Sequence, residues 1–250
     1  MAFYLVKPSN IITPTGCTAQ VSSVDAYQTG FEIANAWQEW DQPWLEWRSG
    51  FSDSKEHTIT IAYSGNAGRM FLFGCNFSSI NLSGVKTLYQ NRLVGDYRIY
   101  LYLAIKASPI SFTIPAQATE EGYFKIGGIV IVNTVAASDI GRFVYPKQFN
   151  LAQPAQDTIT QSELLLKQRA GRKHHIIELK SKMRSYANLT ALHAVKRAIG
   201  IKDVCLYYET GTAHSGATVM PYMMRRTADM QYRERSNKNF EYILRMEEVA

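Results

Sequence analysis

Apolar and polar residues alternate with a period of two along much of this chain. Between residues 57 and 63, Ile59, Ile61 and Tyr63 fall on one side and Thr58 and Thr60 on the other, as in a half-buried β-strand. Residues 98–105 form a longer run, with Ile99, Leu101, Leu103 and Ile105 on one side and Tyr100 and Tyr102 on the other. Residues 111–115 read as a short strand stopped by Pro115. Residues 68–79 and 123–135 are instead near-continuous apolar runs ended by small or polar residues, and they predict buried strands. Ser64-Gly-Asn-Ala-Gly68 and Val94-Gly-Asp96 mark turns between these runs. Short strands with regular turns predict a sandwich rather than alternating βα units.

The pattern changes near residue 146. The stretch from Pro146 to Asp157 is rich in Gln, Ala and Pro and reads as an exposed connector or a loosely ordered crossover. It predicts two domains, 1–147 and 148–250. In the second, residues 173–180, 204–208, 224–234 and 239–249 read as strands, the last with Phe240, Tyr242, Leu244 and Met246 on one side. Residues 188–200 predict a helix capped by Asn188, with Leu189, Leu192, Val195, Ala198 and Ile199 on one face. Lys196 and Arg197 near its C-terminus favour it, and Gly200 ends it. The fold class is therefore expected to be mainly β: an N-terminal jelly-roll-like β-sandwich, then a smaller β-rich domain with one helix.

Composition sets bounds on function. With 46% hydrophobic and 19% charged residues, the chain belongs with folded globular proteins, and no apolar run approaches a membrane-spanning helix. The N-terminus lacks a basic segment followed by a long apolar stretch, which predicts a protein that folds in a cytoplasm. Cys17, Cys75 and Cys205 are far apart and odd in number, so they read as buried free thiols rather than a disulfide framework or a zinc site. Charge is uneven. From Lys147 onward 17 Lys/Arg stand against 10 Asp/Glu, while the first 146 residues hold 10 and 11. Arg169, Arg172, Lys173, Lys180, Lys182 and Arg184 cluster around one predicted strand and are candidates for contact with an acidic neighbouring subunit. No zinc finger or RNA-binding motif accompanies them, which argues against nucleic acid.

All four tryptophans, Trp37, Trp40, Trp44 and Trp47, lie within eleven residues beside Glu39, Asp41 and Glu46. Indole faces next to carboxylates can stack and hydrogen-bond a sugar, so a glycan is one partner this cluster predicts. Pro43 interrupts any helix that would align them, and core packing or a subunit contact is the plainer account. Glu120-Glu121 and Glu247-Glu248 are adjacent pairs whose members point to opposite faces of a strand, unlike paired glycosidase acids, and they read as solvated surface. His174, His175 and His214 lack metal-ligand spacing, and no nucleophile or metalloprotease motif occurs. Gly127-Gly128 has no following Lys-Ser/Thr and reads as a point of close backbone approach. The expectation is a non-enzyme with neither cofactor nor metal.

One resemblance adds to this. An apolar strand running into Gly74-Cys-Asn-Phe-Ser-Ser79, followed later by Gly127-Gly-Ile-Val-Ile131, resembles the galactose-binding-like (discoidin-like) sandwiches in structural proteins of tailed bacteriophages. The second half, with a strand, a helix and a closing strand ending in Leu-Arg-Met-Glu-Glu-Val249, is similar to domains of phage distal-tail and baseplate proteins. The resemblance implies a virion structural protein of the tail or baseplate, assembled in the host cytoplasm. It would contact itself, as a homo-oligomer or ring, and other virion proteins. The alternative is a carbohydrate-binding module for host surface glycans, since one such fold supports both roles.

Overall fold

The computed structural model describes residues 2–6, 11–21, 27–37, 46–50, 54–92, 95–102, 105, 108–133, 137–139, 148–152, 155–159, 165–170, 174–183, 190, 193–194, 197, 203–210, 218–226, 231–236 and 239–248. The chain divides into two compact units. One is Val6–Ser138; the other joins Met1–Leu5 to Asp139–Ala250. The division thus falls at 138/139 rather than 147/148, and strand β1 (Ala2–Val6) enters the sheet of the second unit. The fold is mainly β, built from antiparallel sheets.

In the first unit the strands are β2 (Ile11–Ile12), β3 (Gly16–Val21), β4 (Trp47–Arg48), β5 (His57–Ala62), β6 (Ala67–Cys75), β7 (Val85–Arg92), β8 (Gly95–Tyr102), β9 (Ile110–Ile114), β10 (Lys125–Ile126) and β11 (Gly128–Asn133). They form a five-stranded sheet in the order β2-β11-β6-β8-β7, a three-stranded sheet in the order β3-β5-β9, and a short β4-β10 ribbon. Strand β5 alternates buried and half-buried residues along its whole length, as the period of two requires. Its Ile59 and Ile61, with Ile110, Phe112 and Ile114 of β9, join one core with Met70, Leu72, Tyr100, Ile129 and Ile131 of the five-stranded sheet. Two sheets therefore pack face to face.

Strand β11 is buried along nearly all its length, and its partner β6 lies beside it with Val130 opposite Phe71 and Ile131 opposite Met70. Phe71, Leu101 and Val130, on the face turned away from this core, are buried as well. Near-continuous apolar sequence in these two strands has this cause. Alternation in β8 runs as expected, but Tyr100 lies on the core side, and Tyr102 packs against that core. The strand ends at Tyr102, so Ile105 leaves the alternation and also enters the core instead of following Ile99 and Leu101.

The second unit carries an eight-stranded sheet. Its members are β1, β12 (Ala137–Asp139), β13 (Gln148–Ala152), β16 (His174–Met183), β17 (Val204–Thr210), β18 (Thr218–Arg226), β19 (Gln231–Ser236) and β20 (Asn239–Glu248). A separate ribbon pairs β14 (Ala155–Ile159) with β15 (Leu165–Ala170). The expected connector is therefore corrected: β13 pairs with β16 and β14 with β15, so backbone pairing overrides its loop-like composition. The strand expected over 224–234 is two strands, β18 and β19. Strand β18 begins earlier because Pro221 sits at the irregularity between Tyr207 and Glu209 of its partner, where a missing N–H is tolerated. Leu244 and Met246 of β20 are buried as the alternation predicts. Most of the helix expected at 188–200 lies outside the described residues, and Thr190, His193, Ala194 and Arg197 within it are helical.

Phe112→Ala should lower stability by about 3–5 kcal/mol, because a fully enclosed ring leaves a cavity that cannot collapse. Tyr27→Ala, at a ring 48% exposed, should change it by no more than about 0.5 kcal/mol. Urea unfolding curves of the two variants check the contrast.

Candidate functional site

The best-defined cluster of polar side chains lies where β6 runs out into Asn76-Phe-Ser-Ser79. Two glycines shape this place. Gly74 has φ +64°, a left-handed conformation that suits glycine, and it sits at the irregularity between β6 and β8. A Cβ on Gly74 would stand 3.3 Å from the Cα of Gly127, and one on Gly127 3.5 Å from the Cα of Gly74. The Gly127 N–H donates to the Phe73 carbonyl at 2.9 Å. Close approach at Gly127, expected from the sequence, is what brings β10 alongside the end of β6.

Asn76 then bridges the two segments. Its Nδ2 donates to the Tyr123 carbonyl at 2.8 Å and to Glu121 Oε2 at 3.0 Å, while its Oδ1 accepts from the Lys125 N–H at 2.8 Å. Gln117 holds the serines. Its Oε1 accepts from the Ser78 and Ser79 N–H groups and the Ser78 hydroxyl, and its Nε2 donates to the carbonyls of Ser79 and Pro115. Both amides thus use donor and acceptor in one consistent orientation.

Charges beside this clamp are balanced. Lys125 Nζ lies 3.7 Å from Glu121 and 4.0 Å from Glu46, and the Arg48 guanidinium binds Glu46 at 2.7 Å. Arg48 also lies over the Phe31 ring, 3.8 Å from its centroid, with the Tyr123 ring at 5.5 Å. Its backbone completes the attachment, its carbonyl accepting from the Gln28 N–H and its N–H donating to the Phe31 carbonyl. The arrangement is a fastening for the chain between residues 27 and 37, built from aromatic rings and charges of which Lys125 is buried.

Beneath the clamp, Tyr100 donates its hydroxyl to the Phe77 carbonyl at 2.8 Å. Burial pushes its ionisation well above the usual tyrosine range; Cys75 adds to that and Arg98 opposes it. Burial likewise raises the Cys75 thiol well above its ordinary value, outweighing Lys125 and Arg98. In the second unit, burial and then Asp203 raise Cys205 to about 12, against the pull of Arg226. Both thiols are free and buried, which keeps them protonated and poor as nucleophiles or ligands. Among the described residues no group of three or more His, Cys, Asp and Glu could hold a metal ion.

No family model matches this chain. Neither a curated protein nor a solved structure matches it.

The residues singled out in the sequence are only partly brought together. Trp47 is wholly buried in the sandwich core, so its role as an outward contact is corrected: it packs the domain from within. Trp37 is half-buried and packs against the same core. Trp40 and Trp44 lie outside the described residues. Lys180 and Lys182 are on β16, registered opposite Ile243 and Glu241, whereas Arg169 belongs to the β14-β15 ribbon opposite Gln156. Arg172, Lys173, Arg184 and His214 lie outside the described residues. Glu121 is exposed but spent on Asn76, and Glu248 is buried rather than solvated, while its neighbour Glu247 is half-buried. Sequence reasoning missed Gln117, Arg48 and the fully buried His57. The serine partners of Gln117 lie 38–39 residues away, so no local pattern could announce them.

Asn76→Ala should cost about 1–3 kcal/mol, since it removes the side-chain acceptor of the Lys125 N–H and one of two side-chain donors to the Tyr123 carbonyl, the other being the Thr119 hydroxyl. Glu121→Ala, which removes one exposed acceptor, should cost about 1 kcal/mol or less. Thermal or urea unfolding measures both.

Alkali supplies a second check. The raised Cys205 ionisation means its contribution is fully present below pH 9.0 and is lost as pH climbs from there towards about 12. Stability should therefore fall over that interval, and Cys205→Ala should flatten the fall. A variant with an unchanged alkaline profile would contradict this.

Proposed function

We propose that this chain is a structural component of a tailed-phage virion, of the tail or baseplate, and that it works through subunit–subunit contacts. The observation that carries the reading is the placement of the two segments on which the phage resemblance rests. They are neighbouring strands, β6 and β11, paired antiparallel inside a face-to-face sandwich, which supports the reading. The Gly-x-Asn-x-Ser-Ser segment also spends its polar groups on holding the fold, through Asn76 and Gln117. What remains for function is outer surface and sheet edge. The basic excess of the second half supports docking against acidic neighbours, partly offset where Lys182 faces Glu241 and Glu178 faces Arg245 across the strands.

Size-exclusion chromatography with light scattering, followed by electron microscopy of the purified chain, tests the reading. Discrete oligomers or rings that grow with concentration are expected. A strictly monomeric chain over the whole soluble range would overturn it. Glycan-array binding lost in folded Trp40→Ala and Trp44→Ala variants would favour the carbohydrate-binding alternative.

A further inference from the structure

The outer edge of β7, which no described strand pairs, has the properties of a self-association strand. At eight residues β7 is the longest strand at a sheet edge among the described elements, and no described strand pairs with its outer side. Other edges of the sandwich are shorter or covered. Strand β2 has two residues, and the outer edge of β9 is engaged by Asn81, whose N–H donates to the Thr113 carbonyl at 2.7 Å. Strand β3 has six residues and opens on Gly16. An exposed row of backbone donors and acceptors of this length is a template for another strand.

The register tells which groups point outward. Arg92 and Gly95 are partners across a two-residue connection, and a pair so close to its turn must exchange both backbone hydrogen bonds. No irregularity interrupts the β7-β8 ladder, so Gln90, Leu88 and Lys86 also bond to β8. Val85, Thr87, Tyr89 and Asn91 therefore aim their N–H and C=O groups at the outer edge. Thr87 is exposed.

We propose that this edge pairs antiparallel with β7 of a second copy of the chain, joining two five-stranded sheets into one. The inference rests on the assembly reading above and names its contact. Two strands that meet through their odd-numbered residues can be related only by registers in which odd faces odd. Centring the twofold axis on Leu88 sets Val85 opposite Asn91 and Thr87 opposite Tyr89, which pairs every outward residue. Charge selects the same register. Lys86 and Arg92 are the charged residues of β7, and this alignment puts them opposite Gln90 and Gly84. Centring on Tyr89 would set Lys86 against Arg92, a like-charge pair that destabilises a ladder. Lysine on an edge strand usually discourages pairing; here it discriminates between registers.

Hydrogen–deuterium exchange of the full chain, read on a peptide covering 85–92 at low and high protein concentration, tests the pairing directly. The outward amides of Val85, Thr87, Tyr89 and Asn91 should slow by about tenfold or more on association. Thr87→Pro removes one outward N–H while sparing the ladder to β8, so it should reduce the mass seen by light scattering with circular dichroism unchanged. If the native chain assembles but exchange in 85–92 is independent of concentration, the edge is not the contact and this inference fails while the assembly reading stands. If the native chain never assembles, both fail. Should Thr87→Pro not fold, the exchange measurement on the native chain decides alone.

Discussion

The sandwich depends on a file of aromatic rings that closes one end of its core. Trp47 meets His57 edge-on at 6.2 Å, His57 meets Phe124 at 5.2 Å, Phe124 meets Phe77 at 6.1 Å, and Phe77 stacks on Tyr100 at 5.1 Å. The edge-to-face and stacked geometries are those that ring quadrupoles favour. These rings come from β4, β5 and β8 and from the segments beside β6 and β10, so the file ties both sheets and the ribbon together. Ser49 reinforces it, its N–H donating to the Phe124 carbonyl and its hydroxyl accepting from the Phe124 N–H.

Several polar groups beside these rings fasten the segments that carry them. The Gly74–Gly127 approach lets the backbone cross without a gap, and Asn76 and Gln117 satisfy backbone groups that the irregular loops leave unpaired. The charged cluster of Glu46, Arg48, Glu121 and Lys125 carries two formal charges of each sign, paired among themselves. In the Gly74–Ser79 segment the side chains of Asn76 and Ser78 are thus engaged in holding the fold.

Assembly through β7 would fit this division of labour. The clamp and the aromatic file consume polar and apolar groups inside the domain, while an edge strand offers backbone hydrogen bonds that need no special side chains. Sequence at such an edge can vary widely as long as charge keeps the register, which makes the contact hard to recognise from residue types.

Sequence alone determined the local order of this protein. The alternation in β5 and β20, the near-continuous burial of β11, the buried run of Met70, Phe71 and Leu72 in β6, and the close approach at Gly127 were all legible, because side-chain direction in a strand and the space beside a glycine are properties of short backbone segments. Tertiary structure decided the rest. It turned the tyrosine side of β8 into the core, drew Trp47 inside, made strands of a connector that composition marks as loop, and sent β1 to the sheet of the second unit. It also paired Asn76 with Tyr123 and Lys125, and Gln117 with Ser78 and Ser79. Each of these outcomes depends on which surface arrives opposite a residue from tens of positions away, and periodicity fixes only the direction in which a side chain points, never what it meets.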